Sequence, residues 1–384
     1  MATEKRYYRL CFTLFILWSI ILVYNPCLHA AEPVKMALIL AQTGIAAEEN
    51  IPAIQAARLA AEEINSEGGL LGHPVEIIII DNKSTPLGSK AAAQQAIDSG
   101  VTAVVGAFRS SHSLPMAYVL QTAKIPMITP SSTSPEITLV GDYIFRTCFV
   151  DLFQGRVMAE FAAYDLGAKG AVVLTNASER YSVSLSDYFR AFFVKCGGKI
   201  LWTGTYKGNA VDFKELLNQI VSLNPDVLFV PGYSRDTGLL INQAAKMGIR
   251  TVYLGGDAWG NNIVEYAGDA LSGSYYSAHW HPDVPFERNN HLKRMLKEKY
   301  GIEHIDNMRI PLTYDSLWIL AGAVKKAGSI DRSRIRDALS ETKGFEGATG
   351  IITFDENGDP MNKEASILKF ENGSWKFIKS KRPQ

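Results

Sequence analysis

The chain has 384 residues, of which 47% are hydrophobic and 20% are charged, and its formal net charge at pH 7 is zero. This length is enough for two ordinary domains with full hydrophobic cores. The balanced charge gives no sign of a nucleic-acid partner or of a charged membrane surface as a target.

The N-terminal segment has the pattern of a secretory signal peptide. Basic residues at positions 5, 6 and 9 precede an apolar run at 10–23, and small residues at 30–31 suit cleavage. We therefore predict a signal peptide at residues 1–31 and a periplasmic mature protein. A membrane anchor is the alternative, but the apolar run is short for a spanning helix. A lipidated Cys27 is disfavoured, because the residues before it lack the small side chain expected there.

Removal of residues 1–31 takes away three of the 39 basic and one of the 39 acidic residues, which leaves 353 residues with a net charge of −2. Cys148 and Cys196 are then the remaining cysteines. In an oxidising compartment they could pair or remain buried as small apolar side chains, and the sequence does not decide between these alternatives.

The mature chain alternates strand-like and helical segments, which predicts parallel sheets with crossover helices. The unbroken isoleucine run at 77–80 is typical of a strand buried on both faces. The alternation starts again after residue 151, so we expect two similar α/β halves whose strand ends face a common cleft. The predicted strands are residues 34–41, 75–81, 101–106, 171–175, 199–205, 226–231, 251–255, 350–354 and 365–370. The predicted helices are residues 52–65, 88–99, 182–196, 213–223, 237–247, 290–300, 313–327 and 331–340.

The common catalytic patterns do not occur in the sequence. There is no Gly-x-Ser-x-Gly nucleophile elbow, P-loop or dinucleotide fingerprint, and neither Cys148 nor Cys196 lies in a nucleophile motif. His279 and His281 would point the same way on an extended strand, but no third metal ligand has a matching spacing. We therefore predict a protein that is not an enzyme and that uses no metal or cofactor.

Hydroxyl and aromatic residues follow several predicted strands, which is a composition suited to a small-molecule cleft. The densest group is the hydroxyl run at 131–134. This run also fits a helix start, because Thr133 and Glu136 have the capping-box spacing and Pro135 suits a first helical turn. Both interpretations are kept: a capped helix and a binding surface.

Six motifs resemble the periplasmic binding proteins of the branched-chain amino acid type, the receptors of ABC importers. They are AARLAAEEINSEGGLLG, VVGAFRSSHSLP, IPMITPSSTSPEIT, YIFRTCFVDLFQGRVMAEF, LGGDAWG and GATGIITFDENGD. Their order and spacing carry the resemblance, which covers nearly all of the mature chain. It implies two Rossmann-like α/β lobes, joined by three crossovers, that close on a ligand like a hinge. It also assigns residues 32–146 and 281–342 to lobe 1, and residues 147–280 and 343–384 to lobe 2.

The resemblance further implies the ligand-binding residues. Ser110 and Thr133, with Ser132 beside them, match positions that hold the carboxylate of a bound amino acid. The Ser131 backbone and the Asp257 carboxylate match positions that receive its ammonium group. These roles are physically reasonable, because hydroxyls and free amides at a helix start suit an anion and an opposing carboxylate suits a cation.

The second lobe contributes two aromatic residues in this scheme, Tyr181 and Tyr233. Arg109 departs from the family pattern, which often has a small residue there. It either meets a second acidic group on the ligand or is a solvated charge at the rim. Residues 43–47 lack an aromatic often found there, so the resemblance leaves the ligand's side chain open.

We therefore predict a monomeric solute receptor that captures an amino acid or related small polar solute and presents it to the membrane permease of an ABC importer. One alternative is a sensory protein that docks to a signalling receptor. Another is a receptor for a different solute, such as an amide or an organic acid. A secreted enzyme on the same scaffold is a third.

Overall fold

The computed structural model describes residues 31–383. The predicted signal peptide up to residue 30, including Cys27, lies outside the described residues. Within the described part of the chain, no helix is long and apolar enough to cross a membrane.

A parallel sheet of five strands forms the first half of the fold, in the order β2-β1-β3-β4-β5. β1 lies between β2 and β3, and residues 36–40 within it are at most 1% exposed. β2 is an edge strand that pairs with β1 alone, so residues 77–79 are only half-buried. The prediction that this isoleucine run is buried on both faces is therefore wrong. The five strands are β1 Val34–Leu40, β2 Val75–Asp81, β3 Ala103–Gly106, β4 Met127–Thr129 and β5 Ile144–Arg146.

Helices cover both faces of this first sheet. Successive side chains of a strand point to opposite faces of the sheet. In β1, Leu38 accordingly packs in the core on one face and Ile39 packs in the core on the other. The helices of this half are Ala47–Asn50, Ala53–Ser66, Pro86–Asp98, Ser110–Thr122, Glu287–Tyr300, Arg309–Ala327 and Arg332–Ser340.

The second half is built on a sheet of seven strands in the order β14-β13-β10-β9-β8-β6-β7. β13 pairs antiparallel with both β10 and β14, whereas the strands from β10 to β7 are parallel. These strands are β6 Gly170–Asn176, β7 Lys199–Tyr206, β8 Val227–Phe229, β9 Val252–Gly255, β10 Tyr275–Ala278, β13 Ala365–Glu371 and β14 Ser374–Lys381. The helices of this half are Asp151–Glu160, Arg180–Lys195, Lys214–Asn218, Ser234–Lys246 and Ile263–Ala267. The predicted α/β class is confirmed.

Residues 345–354 bear on where the chain last crosses between the two halves. β11 Phe345–Gly347 and β12 Gly350–Ile352 form a separate hairpin, and Ile352 and Phe354 belong to the core of the first half. The predicted lobe boundaries remain a proposal, and these contacts favour a final crossover after Phe354 rather than after Thr342.

The two cysteines of the described chain are both free thiols. Cys148 is buried and Cys196 is half-buried. Burial raises the pKa of the Cys148 thiol well above its usual range, so Cys148 packs as a small apolar side chain.

Candidate functional site

The hydroxyl run at residues 131–134 forms a buried loop directly after β4. The Ser131 and Ser132 hydroxyls donate to the carbonyl oxygens of Phe108 and Ala107, at 3.1 and 3.2 Å, which ties the loop to the segment after β3. Thr133 is fully buried, but its Oγ1 has no hydrogen-bond partner in the described protein. The Ser132 hydroxyl therefore serves the fold, whereas the Thr133 hydroxyl is available to a ligand.

The predicted helix start at this loop is wrong. Residues 135–137 form a turn, and the 3-10 helix Thr138–Val140 that follows has no side-chain cap. The Thr133 hydroxyl therefore caps no helix, and its role in ligand binding stays a prediction.

Arg146, at the end of β5, fixes the shape of the loop. Its Nη1 donates to the carbonyl oxygens of Ser132 and Ser134, at 2.8 and 3.0 Å, and its Nη2 donates to Thr138 Oγ1 at 2.7 Å. Its charge is balanced by Asp359, whose Oδ1 lies 2.5 Å from Nε. Sequence reasoning missed both residues, because nothing in their spacing indicates a contact across 213 positions.

Ser110 begins the helix Ser110–Thr122 and lies against the hydroxyl loop. Its Oγ accepts a hydrogen bond from the backbone N–H of Ser134 at 3.2 Å. The first amides of a helix have no intrahelical acceptor, and no side chain caps this helix. A helix start of this kind attracts an anion. The fold therefore brings Ser110 next to the loop that contains Thr133, as a carboxylate site requires.

Asp257 follows β9 in the second half and is 4% exposed. Its Oδ2 lies 3.2 Å from Nε2 of His279, close enough for electrostatic interaction but without hydrogen-bond alignment, and its Oδ1 has no partner among the described residues. His279 is itself buried, with its ring 3.7 Å from that of Phe149. Burial lowers the pKa of His279, so the imidazole stays neutral and does not neutralise Asp257. The carboxylate therefore remains available to a cation.

Tyr181 lies near Asp257, and its ring centroid is 5.7 Å from that of Tyr233. The Tyr181 hydroxyl accepts a hydrogen bond from the backbone N–H of Ala258 at 3.3 Å. The close approach of the Tyr181 hydroxyl to this backbone segment depends on Gly256, because a Cβ at position 256 would collide with Tyr181 Oη. Burial raises the pKa of both tyrosines, so they remain neutral hydroxyl groups with an apolar face.

Asp151 is a candidate site residue that the sequence reasoning missed. Both of its carboxylate oxygens are buried without a well-aligned hydrogen bond among residues 31–383, although the Thr133 and Ser184 hydroxyls lie close enough to lower the pKa of the carboxyl. Its backbone N–H donates to the Thr133 carbonyl oxygen at 2.9 Å. Burial raises the pKa of Asp151 to about 7; the neighbouring Thr133 hydroxyl opposes the rise, and the charge of Asp257 adds to it. Asp151 thus lies near both predicted half-sites. It occurs in one of the quoted motifs, but an acidic residue in a first helical turn has an ordinary explanation.

Arg109 directly precedes Ser110 and is only 4% exposed. The interpretation of this residue as a solvated rim charge is therefore wrong. Its Nη2 lies 3.3 Å from Glu49 Oε2, its Nη1 lies 3.5 Å from Glu179 Oε1, and its guanidinium group lies 3.6 Å from the ring centroid of Tyr233. Because Glu179 and Tyr233 belong to the second half, Arg109 connects the two halves across the cleft.

A cavity of about 670 Å³ has Asp257 in its lining, whereas Ser110, Thr133, Tyr181, Tyr233 and Arg109 lie outside that lining. Asp257 and Trp259 line it from the second half, and Glu49 and Arg309 line it from the first. Cavities of this size hold small-molecule ligands. Across residues 31–383, no group of three or more His, Cys, Asp or Glu side chains could hold a metal ion.

Comparisons with known proteins give the family. Residues 33–374 match the family model described as periplasmic binding protein. The leucine-, isoleucine-, valine-, threonine-, and alanine-binding protein of Pseudomonas aeruginosa is 30% identical over 346 residues, which cover 89% of this chain and 91% of that protein.

Two solved structures extend this similarity. The leucine-binding protein LivK of Thermotoga maritima is 34% identical, with a TM-score of 0.87 over 91% of this chain and 99% of that one. The branched-chain amino acid transporter substrate-binding protein LivJ of Streptococcus pneumoniae, solved with isoleucine, is 28% identical. Its TM-score is 0.85, and the match covers 92% of this chain and 100% of that one. These matches confirm the resemblance seen in the sequence motifs, and the chain belongs to the periplasmic binding protein family.

Proposed function

We propose that this protein is the solute receptor of an ABC importer and that it captures a free amino acid between its two lobes. The observation that carries the proposal is a set of buried polar atoms without partners: Thr133 Oγ1 on one side and Asp257 Oδ1 on the other. Buried polar atoms are nearly always hydrogen-bonded in folded proteins. A bound zwitterion would supply the missing partners at both places.

The ligand's carboxylate binds at the start of the helix Ser110–Thr122 and at the Thr133 hydroxyl. Its ammonium group binds Asp257, with the Ser131 backbone as a second contact. Asp151 adds carboxylate oxygens near the same point, and its pKa of about 7 lets a nearby ammonium group favour the ionised form. Names of relatives that refer to leucine, isoleucine and valine support an amino acid as the ligand class.

Tyr181 and Tyr233 cover the ligand from the second lobe. Binding to residues of both lobes stabilises the closed arrangement, which is a shift in population toward the form that contacts the ligand most. A membrane permease then recognises the closed receptor. The protein acts as a periplasmic monomer after export through the signal peptide at residues 1–31, and it makes or breaks no covalent bond.

The test is calorimetric titration of residues 32–384 with the common amino acids, after unfolding and refolding to remove any ligand that copurifies. We expect one or a few amino acids to bind reversibly, to reduce the radius of gyration in X-ray scattering, and to be recovered chemically unchanged. Binding of simple amides or organic acids with no binding of any amino acid would overturn the proposal, and so would conversion of the bound solute.

A further inference from the structure

The ion pairs around Arg109 carry information about the ligand's side chain. Arg109 and Arg309 both contact the same atom, Glu49 Oε2, at 3.3 and 3.1 Å. The two arginines are each 4% exposed and Glu49 is 8% exposed. One carboxylate oxygen of the first lobe therefore serves two buried guanidinium groups.

Each of these guanidinium groups keeps an unused donor. The Nε atoms of Arg109 and Arg309 are buried and have no hydrogen-bond partner among the described residues. A buried donor without an acceptor is unfavourable. Arg309 lines the cavity directly, and Arg109 contacts Glu49, which also lines it, so we take the missing acceptors to come from a ligand in this cavity.

The cluster adjoins the proposed amino acid site on two sides. Arg109 directly precedes Ser110 and lies over the ring of Tyr233. Arg309 and Glu49 line the same cavity as Asp257. An amino acid held by Ser110 and Asp257 can therefore extend its side chain toward the two arginines.

A branched aliphatic side chain does not match this surface. It would cover the ion pairs, remove water from them and provide no acceptor for either Nε, and burial of unpaired polar groups is unfavourable. A side chain with a planar oxygen acceptor would satisfy the donors instead.

Carboxylates at the mouth of the same cavity would favour a cationic side chain on the ligand. Their effect on the ligand preference is weaker than that of the two arginines. Glu48, Glu265, Asp283 and Asp306 are all exposed. Charges of this kind are screened by water and salt over roughly 10 Å. The buried donors of Arg109 and Arg309, which are not screened in this way, therefore decide the preference.

On the basis of the proposed function, we infer that the ligand's side chain carries a carboxamide or carboxylate oxygen, which accepts hydrogen bonds from Arg109 and Arg309. The charge balance favours the carboxamide. Glu49 and Glu179 already offset the two arginines, so a carboxylate adds an uncompensated negative charge. A carboxamide adds none, and its NH2 group can donate to Glu49.

The test compares the wild-type protein with ligands of similar size by calorimetry. Asparagine and glutamine should bind more tightly than leucine by a factor on the order of 100 or more, because a polar site rejects an analogue that leaves its groups unpaired. Glutamate should lie between glutamine and leucine. Leucine binding as tightly as glutamine would overturn the inference and leave the proposed function intact, whereas no binding by any amino acid would overturn both. This comparison needs no variant and so does not depend on whether a variant folds.

Variants then assign the effect to the two arginines. Arg109→Met and Arg309→Met should each weaken glutamine binding roughly tenfold or more, without weakening leucine binding to the same extent. Arg180→Met is the matched control, because Arg180 also forms a pair across the cleft, with Glu136 at 3.4 Å, but its side chain is 55% exposed. Equal losses for glutamine and leucine in the first two variants would show that the arginines act only between the lobes, and would overturn the inference.

Discussion

Arg146 donates a hydrogen bond from Nη1 to the carbonyl oxygen of Ser132 at 2.8 Å, so a fully buried cation fixes the loop that contains Thr133. The loop contains no regular secondary structure, and its position therefore depends on side-chain contacts rather than on a ladder of backbone bonds. Arg146 supplies two such contacts to the loop and a third to Thr138, and Asp359 neutralises it.

Replacing Arg146 with Met should destabilise the protein strongly. The change leaves Asp359 without its cation and removes one donor from each of the Ser132 and Ser134 carbonyl oxygens, and breaking a buried ion pair costs about 3–5 kcal/mol. Urea unfolding measures this loss. Lys369→Met is the control, because its pair with Glu371 lies at the surface and should be worth less than about 1 kcal/mol. Similar losses for the two variants would contradict the role of Arg146.

Replacing Thr133 with Val should separate binding from folding. Because Thr133 Oγ1 has no protein partner, the free energy of unfolding without ligand should stay within about 0.5 kcal/mol of the wild type. Ligand affinity should fall by about 1–3 kcal/mol, because one carboxylate oxygen of the ligand loses its donor. Calorimetry and urea unfolding of the same sample give both values.

Ser132→Ala provides the opposite case to Thr133→Val. The Ser132 hydroxyl forms hydrogen bonds with the Ala107 carbonyl and with the Ser113 hydroxyl. We therefore expect the variant to lower the free energy of unfolding more than it lowers ligand affinity. A stability loss in Thr133→Val as large as that in Ser132→Ala would return Thr133 to a structural role.

Replacing Asp257 with Asn should weaken amino acid binding by about 2–5 kcal/mol, the scale for removing one partner of a buried charge pair. The decisive comparison is the 2-hydroxy acid that corresponds to the preferred amino acid, since it has no ammonium group. Wild-type protein should bind that analogue weakly, and the variant should lose little further affinity for it. An equal loss of affinity for both ligands would mean that Asp257 does not contact the ammonium group.

Asp151 should make stability fall as the pH rises. Burial raises its pKa from 3.8 to about 7, so the folded protein retains a proton that the unfolded chain releases between these values. Asp151 therefore contributes its full stabilisation below about pH 4 and loses it as the pH rises through 7, on the order of 4 kcal/mol in all.

The difference between wild-type protein and Asp151→Asn isolates this effect, because other titrating groups are common to both. Urea unfolding at several pH values between 4.5 and 7.5, without ligand, should show the wild type losing stability relative to the variant. Parallel profiles would contradict the raised pKa of Asp151.

The sequence predicts the α/β fold well, because hydrophobic periodicity and turn residues are local signals. The helix Ala53–Ser66 and the strand β13 Ala365–Glu371 lie close to their predicted bounds. Residues 77–80 show the limit of such signals, because apolar residues alone do not reveal whether a strand lies at the edge or the centre of a sheet.

The candidate site depends more than the fold does on contacts between residues that are far apart in the sequence. The family motifs led to Thr133 and Asp257, and both have the unpartnered atoms expected of ligand contacts. Arg109 was harder to interpret, because its burial depends on Glu49 and Glu179, which are 60 and 70 residues away. Asp151 was missed for a similar reason: a carboxylate in a first helical turn has a local explanation, and only the folded chain shows that its oxygens lack well-aligned hydrogen bonds.

The pairing of Arg146 with Asp359 also sets an order of events in biosynthesis. Translation proceeds from the N-terminus, so the loop at residues 131–134 and Arg146 are synthesised long before Asp359, which follows Arg146 by 213 residues. Until that segment arrives, the first half of the chain lacks a properly supported ligand loop. The loop can therefore reach its final form only after residue 359, near the C-terminal end of the chain, has been synthesised.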